Sequence, residues 1–404
     1  MPIIVQKFGG TSVSTAECRA AAVARVLEAR QQGYQPVVVV SAMGRSGDPY
    51  ATDSLIELVQ SSGEGLEKRD LDMVMTCGEI IAAGVFVSLL RRKIVKVAML
   101  TGWQAGIVTD ERHGDARITD VHSDRIRQLL ADGYVVVVAG FQGMSRHGEI
   151  TTLGRGGSDT TAAAMGVALG ADLVEIYTDV DGIMTADPRL VPEAKVLPIM
   201  DYSEVLQMAY EGAQVLHPRA VEMAMQKSVP LVVRKTAGSL PGTRIVNAVL
   251  YEGLRQQPVV GVAYRLNITQ VALHPEQTVP GLGARVFRSL AEAGVSLDLI
   301  NVGPETILFT VKEEDATLVR QALSDFPVQI RARPGCARVS VVGIGMRGVS
   351  GVMARVVQGL AGAEVEILQT SDSHLTITCL IDQSCLTKAV NSLHQAFHLG
   401  SLQR

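Results

Sequence analysis

Short β-branched apolar runs alternate with amphipathic stretches of helical length through the first half of the chain. The runs are PIIVQKF (2–8), QPVVVVSAM (35–43), VKVAML (95–100), YVVVVAGF (134–141) and LVEIYTDV (173–180). Helical stretches separate them near 15–32, up to about 92, near 122–132 and at SDTTAAAMGVALG (158–170). Continuous apolar strands separated by helices are what a parallel sheet covered on both faces requires. The expected fold class is therefore α/β, a mainly parallel sheet sandwiched by helices. Such sheets place ligands at the carboxyl ends of their strands, and every motif below follows a strand.

From about residue 260 the texture changes. VPGLGARVFRSLAEAGV (279–295) lies over VSGVMARVVQGLAGAEV (349–365) at an offset of 70, with nine identical positions. A duplicated domain explains this better than chance does. In each copy a strand precedes the loop, a helix follows, and two more strands come next: VSLDLINV and TILFTV in the first, VEILQTS and LTITCLI in the second. That β-α-β-β texture fits a ferredoxin-like unit. At 404 residues the chain exceeds a single core. The expected division is a catalytic domain over 1–245, a turn-rich linker over 246–262, and repeat domains over 263–334 and 335–404.

Charge and cysteine usage narrow the classes. A formal net charge of −4, without a Lys/Arg-rich segment, argues against a nucleic-acid partner. The five cysteines are scattered, with no CxxC, and the eight histidines form no HExxH, so neither a disulfide framework nor a zinc site is expected. No basic segment leads into a cleavable apolar run at the N-terminus, and Ile80 to Leu90 is shorter than a membrane span. A soluble, cytoplasmic protein with no membrane partner is the expectation.

Two glycine-rich turns carry cations. IIVQKFGGTSVS ends a strand in Lys7 and hands over to Gly9 and Gly10. These glycines suit a tight strand-to-helix turn; equally, bare amides beside an ammonium make an anion site. TTLGRGGSDTTAAA places Arg155 and Asp159 around Gly156, Gly157 and Ser158 before a helix. It reads as a second anion nest or as a helix capped by Ser158 or Asp159. Neither turn is a Walker A loop or a GxGxxG fingerprint. EIYTDVDGIMTADPR offers Asp179, Asp181, Asp187 and Arg189 after a strand. VMTCGEII puts Glu79 on an apolar helix.

With VQKFGGTSV, VVSAMG, TCGE, TGWQAG, GFQG, TTLGRGGSDTTA and YTDVDGIMTADPR in this order, followed by the tandem repeat, the whole chain resembles the aspartokinases of the amino-acid kinase family. The resemblance implies a kinase domain followed by two ACT domains. It implies transfer of the γ-phosphoryl of MgATP to the side-chain carboxylate of L-aspartate, opening the path to lysine, threonine and methionine. Lys7 and Asp159 are then catalytic, Lys7 neutralising phosphoryl charge and Asp159 holding it. Lys7, Gly9, Gly10, Thr178, Asp179, Asp187 and Arg189 would contact ATP with its Mg2+. Ser41, Thr52, Glu79, Arg155 and Gly156 would form the aspartate pocket, Arg155 gripping the α-carboxylate and Glu79 reading the ammonium. Gly281, Asp298, Asn301, Gln369 and Ser371 would meet a pathway amino-acid effector at ACT interfaces of a homodimer. A different carboxylate acceptor, or a catalytically weak amino-acid sensor, are the alternative readings.

The chain departs from the family pattern twice. GAQVLHPR has Gln214 where a lysine usually meets the nucleotide phosphates, leaving Arg189 or Lys235 to supply that charge. The acceptor loop SAMGRSGDPYATD is also longer than the usual SAMGxTTD.

Overall fold

The computed structural model describes residues 1–213, 215–247, 258–276, 281–303, 305–346 and 348–401. Two compact units result: 1–183 with 196–209 and 214–252, and 184–195 with 210–213 and 253–404.

The first unit runs β1 (Ile3–Phe8), α1 (Ala16–Gln31), β2 (Gln35–Val40), α2 (Thr52–Ser61), α3 (Lys68–Arg91), β3 (Val97–Leu100), β4 (Ile107–Thr109), β5 (Ile118–Val121), α4 (Asp124–Ala131), β6 (Val135–Ala139), β7 (Gln142–Ser145) and β8 (Ile150–Thr152). It continues with α5 (Gly157–Leu169), β9 (Leu173–Thr178), β10 (Ile199–Asp201), α6 (Tyr202–Tyr210), α7 (Pro218–Gln226), β11 (Leu231–Lys235) and β12 (Thr243–Val246). Eight strands form one sheet in the order β10-β12-β11-β9-β1-β2-β6-β3, parallel throughout except between β11 and β12. Val37 to Val40 and Val135 to Val138 are fully or almost fully buried, the two-sided burial that their uninterrupted apolar sequence anticipates.

A smaller sheet, β5-β4-β7-β8, stands apart from that pattern. Its strands are three or four residues long, too short to register as periodic runs. Helix α3 is long and apolar enough to cross a membrane by composition, but half of its most apolar stretch is buried and it carries the buried acids Asp72 and Glu79. It is a core helix of this unit.

The second unit contains β13 (Gly261–Pro275), α8 (Leu282–Glu292), β14 (Asp298–Val302), β15 (Ile307–Lys312), α9 (Ala316–Ala322), β16 (Val328–Val342), α10 (Val352–Gly362), β17 (Gln369–Asp372), β18 (Thr376–Asp382) and α11 (Leu386–Ala396). The aligned repeat helices α8 and α10 begin at the same offset of 70, each after a glycine with positive φ, Gly281 and Gly351. Both copies share one six-stranded antiparallel sheet, β14-β15-β13-β16-β18-β17.

The repeats are not consecutive blocks. Residues 268–273 of β13 pair with β15, whereas 261–265 pair with 338–342 of β16, which in turn pair with β18. Val259 and Val262 accordingly pack in the core of the second copy. The expected boundaries at 263 and 334/335 thus fall inside shared strands. Two stretches expected in the catalytic part, 184–195 and 210–213, also pack in this unit. Thr185 O accepts from Val262 N at 2.8 Å, Val191 lies in the same core, and Glu211 pairs with Arg338 at 2.8 Å.

Candidate active site

A cavity of about 520 Å3 opens on the carboxyl edge of the parallel sheet in the first unit. Its lining brings together Lys7, Gly10, Ser41, Thr52, Glu79, Arg155, Gly156 and Asp159 from segments far apart in sequence. Lys7 is the penultimate residue of β1, Ser41 follows β2, Thr52 opens α2, and Gly156 precedes α5. The strand ends deliver them to one edge because the strands are parallel.

Lys7 Nζ stands 2.6 Å from Asp159 Oδ1, with both side chains mostly buried. That oxygen accepts no aligned hydrogen bond, so the contact is an ion pair. The opening turn folds over it. A Cβ on Gly10 would come within 2.6 Å of Gly44 O and 2.8 Å of Ala42 O, and Gly44 N donates to Gly10 O at 3.1 Å. Only glycine allows the acceptor loop this close to the lysine turn. The anion-facing role expected of the Gly9 amide needs correction, because it donates to Tyr177 O at 3.2 Å and prolongs the β1–β9 ladder.

At the second turn, α5 begins at Gly157 after Gly156 in the left-handed region, φ 67°, with no side-chain cap. Ser158 and Asp159 lie inside the first turn, so neither is the N-cap. A Cβ on Gly156 would strike the His217 side chain at 2.2–2.6 Å. Asp159 in a first turn is favoured by the helix dipole, and its position aims it at Lys7.

Glu79 is buried in α3. Its Oε1 accepts from Ala42 N at 3.0 Å, while Oε2 has no hydrogen-bond partner. Burial pushes its carboxyl up to about 8, the Ala42 amide opposing the shift in part. An unpartnered carboxylate oxygen facing a cavity is poised for a cationic ligand. Arg155 is solvent-exposed and makes no ion pair among the described residues, which leaves its planar fork available to a carboxylate.

The expected ATP contacts divide. Thr178 ends β9, and its Oγ1 donates to Asp179 at 3.1 Å. Asp179 is bridged at 2.5 Å by Arg45, itself in the cavity wall. Asp187 and Arg189 are not among the residues lining the cavity; they lie in the second unit, where the Arg189 fork binds Asp187 at 2.7–3.1 Å and Tyr264 OH donates to Asp187 at 2.9 Å. These bonds hold the Asp187 carboxyl below its ordinary range. Gln214 lies outside the described residues.

Sequence reasoning did not single out Phe141, Arg45 or Gly114, all in the wall. Phe141 adopts φ 69°, unusual for an aromatic residue and invisible in the run GFQG. No group of three or more His, Cys, Asp or Glu able to hold a metal occurs among the described residues.

Of the expected effector contacts, Asp298 pairs with Arg338, and Gln369 donates to Leu299 O and accepts from Gln270 at 3.1 Å. Asn301 and Ser371 are exposed on β14 and β17.

Residues 2–235 match the amino acid kinase family, and residues 276–325 with 339–397 match the ACT domain. The chain is 43% identical over 403 residues to aspartokinase 1 of Bacillus subtilis, covering 99% of this chain and all of that one. It is 42% identical to the aspartokinase of Geobacillus stearothermophilus, covering 99% and 98%. Among solved structures, Escherichia coli aspartokinase III with aspartate and ADP in the R-state superposes with TM-score 0.79 at 25% identity, covering 98% of this chain and all of that one. The same enzyme with lysine and aspartate, in the T-state, gives 0.75 at 25% identity over 98% and 99%.

Proposed function

Because this chain belongs to the amino-acid kinase family and is an aspartokinase with ACT regulatory domains, we propose that its cavity transfers the γ-phosphoryl of MgATP to the β-carboxylate of L-aspartate, giving 4-phospho-L-aspartate. The observation carrying this is the Lys7–Asp159 ion pair at 2.6 Å in a cavity that also holds Glu79 and Arg155. Phosphoryl transfer demands alignment and charge stabilisation, and a carboxylate acceptor is already ionised at neutral pH, so no general base is needed. Lys7 neutralises charge on the moving phosphoryl group, and Asp159 holds its ammonium in place. Arg155 takes the α-carboxylate in a bidentate pair, and Glu79 takes the ammonium. Ser41, Thr52 and Gly156 complete the acceptor wall. Lys7, Gly10, Thr178 and Asp179 form the nucleotide side of the reading. Arg45, bridged to Asp179, adds a second cation beside Lys7. Mg2+ arrives with the nucleotide, a role for which a cation held by phosphates and one or two carboxylates suffices.

In this reading the catalytic domain is 1–245 less 184–195 and 210–213, and the ACT pair is the second unit. The ACT pair binds a pathway amino acid near Gly281, Asp298, Asn301, Gln369 and Ser371. The edge strand β14, with Ile300 and Val302 exposed, supports pairing of two chains there. A cytoplasmic location accords with the chemistry.

The test is aspartate-dependent ADP release, with the acyl phosphate trapped as a hydroxamate. Release that ignores aspartate, or that prefers a different carboxylic acid, refutes the assignment. Equilibrium titration with lysine, threonine and diaminopimelate tests the effector reading, and no binding of any of them removes it.

A further inference from the structure

Asp72 has no side-chain exposure, yet the chemistry above leaves it idle. It lies two turns before Glu79 on the same helix, so both carboxyls leave one face of α3. Burying a carboxylate is tolerated only where donors surround it. Asp72 has three, and each belongs to a segment that shapes the acceptor side of the cavity. Thr152 Oγ1 donates to Oδ1 at 2.5 Å, Gly114 N donates at 3.1–3.2 Å, and His113 Nδ1 bonds Oδ2 at 2.8 Å.

Thr152 is the last residue of β8, three positions before Arg155. Gly114 is itself in the cavity wall. The two segments are also bonded to each other: Ala116 N donates to Thr152 O at 2.9 Å. A Cβ added to Gly154 would meet Gly114 O at 3.2 Å and Asp115 Oδ1 at 2.7 Å, which shows how closely the 113–116 loop lies against the turn carrying Arg155. Arg155 has no ion pair of its own among the described residues, so its placement depends on the backbone beneath it.

We propose that Asp72 is a positioning residue for the acceptor: it locks the β8–α5 turn and the 113–116 loop to α3, fixing the separation between Arg155 and Glu79, and hence between the two ends of the bound amino acid. The inference rests on the reading of Arg155 and Glu79 given above. It needs no contact between Asp72 and substrate. A small displacement of one binding group is enough to lose an oriented complex, on the order of 10–100-fold in efficiency.

The test is a kinetic double-mutant cycle on the full-length chain. Asp72→Asn raises the aspartate KM about tenfold or more and leaves the ATP KM within about twofold, because only the acceptor half is loosened. In an Arg155→Ala background the same substitution changes aspartate kcat/KM by less than about twofold, since the group it positions is gone. Thr152→Val, which removes one of the three bonds, follows the same pattern with a smaller rise and guards against poor folding of Asp72→Asn. Equal losses in both backgrounds, or parallel rises in both KM values, overturn the proposal, as do wild-type constants in a folded Asp72→Asn. If the unaltered chain shows no aspartate-dependent ADP release, the reading of the site fails; an active parent with an indifferent Asp72 condemns this proposal alone.

Discussion

Lys7 and Asp159 meet at 2.6 Å, one at the end of β1 and the other in the first turn of α5, so the ion pair ties the two glycine-rich turns together at one edge of the cavity. The ammonium is needed most while the phosphoryl group moves between two oxygens. Lys7→Ala should therefore lower kcat by about 10²–10³-fold with little change in the aspartate KM. Steady-state kinetics with a coupled ADP readout measure both, and an unchanged kcat contradicts the role.

Arg155, on the turn that leads into α5, presents a guanidinium with no ion pair among the described residues. Removing it should cost one charge-assisted carboxylate pair, about 1.5–3 kcal/mol, seen as a rise of about 10–150-fold in the aspartate KM for Arg155→Ala. The ATP KM should stay put. If ATP alone moves, the two halves of the cavity have been assigned the wrong way round.

The parallel sheet and the two glycine turns were legible because buried parallel strands are written as unbroken apolar runs and because turns that approach another backbone must use glycine. Other features left no such mark. Asp72 sits in the charged run EKRDLD, which reads as a solvated helix start, and only its three donors reveal that it is buried. The φ of Phe141 has no residue code, since an aromatic side chain does not announce a left-handed backbone. The bidentate pair that Asp187 and Arg189 form with each other has no signature in the run TADPR. A repeat alignment shows which segments are copies but not which copy a strand packs in, so the splitting of β13 between the two modules was hidden.

Glu79 makes aspartate binding a proton-linked event. Its carboxyl is pushed up to about 8 by burial in α3, against 4.5 for the unperturbed group. An incoming ammonium favours the ionised form, so binding at pH 7 should release a proton. Calorimetry in buffers of different ionisation enthalpy counts that proton, and zero release rules out the pairing. Stability carries the same signature. Between pH 4.5 and 8 the folded chain holds a proton that the unfolded chain has lost, so this group's contribution declines as pH rises through that window. Glu79→Gln should remove that part of the slope.

In the second unit, Arg338 and Glu211 form a buried pair at 2.8 Å, with Ser340 Oγ also donating to Glu211 at 2.7 Å. Burial lowers the guanidinium pKa while the Glu211 charge opposes that shift, and Asp298 is a second carboxylate partner of Arg338. Arg338→Ala removes the cation paired with a buried carboxylate that keeps Ser340 Oγ as a donor, which costs about 3–5 kcal/mol. At the size of this unit that corresponds to a fall of about 6–20 °C in its unfolding transition. Replacing both partners together, Arg338→Met with Glu211→Leu, removes the stranded charge and should recover most of the loss. Differential scanning calorimetry of the three chains decides it: a double variant as unstable as Arg338→Ala would mean that the pair contributes through shape, with the charges incidental.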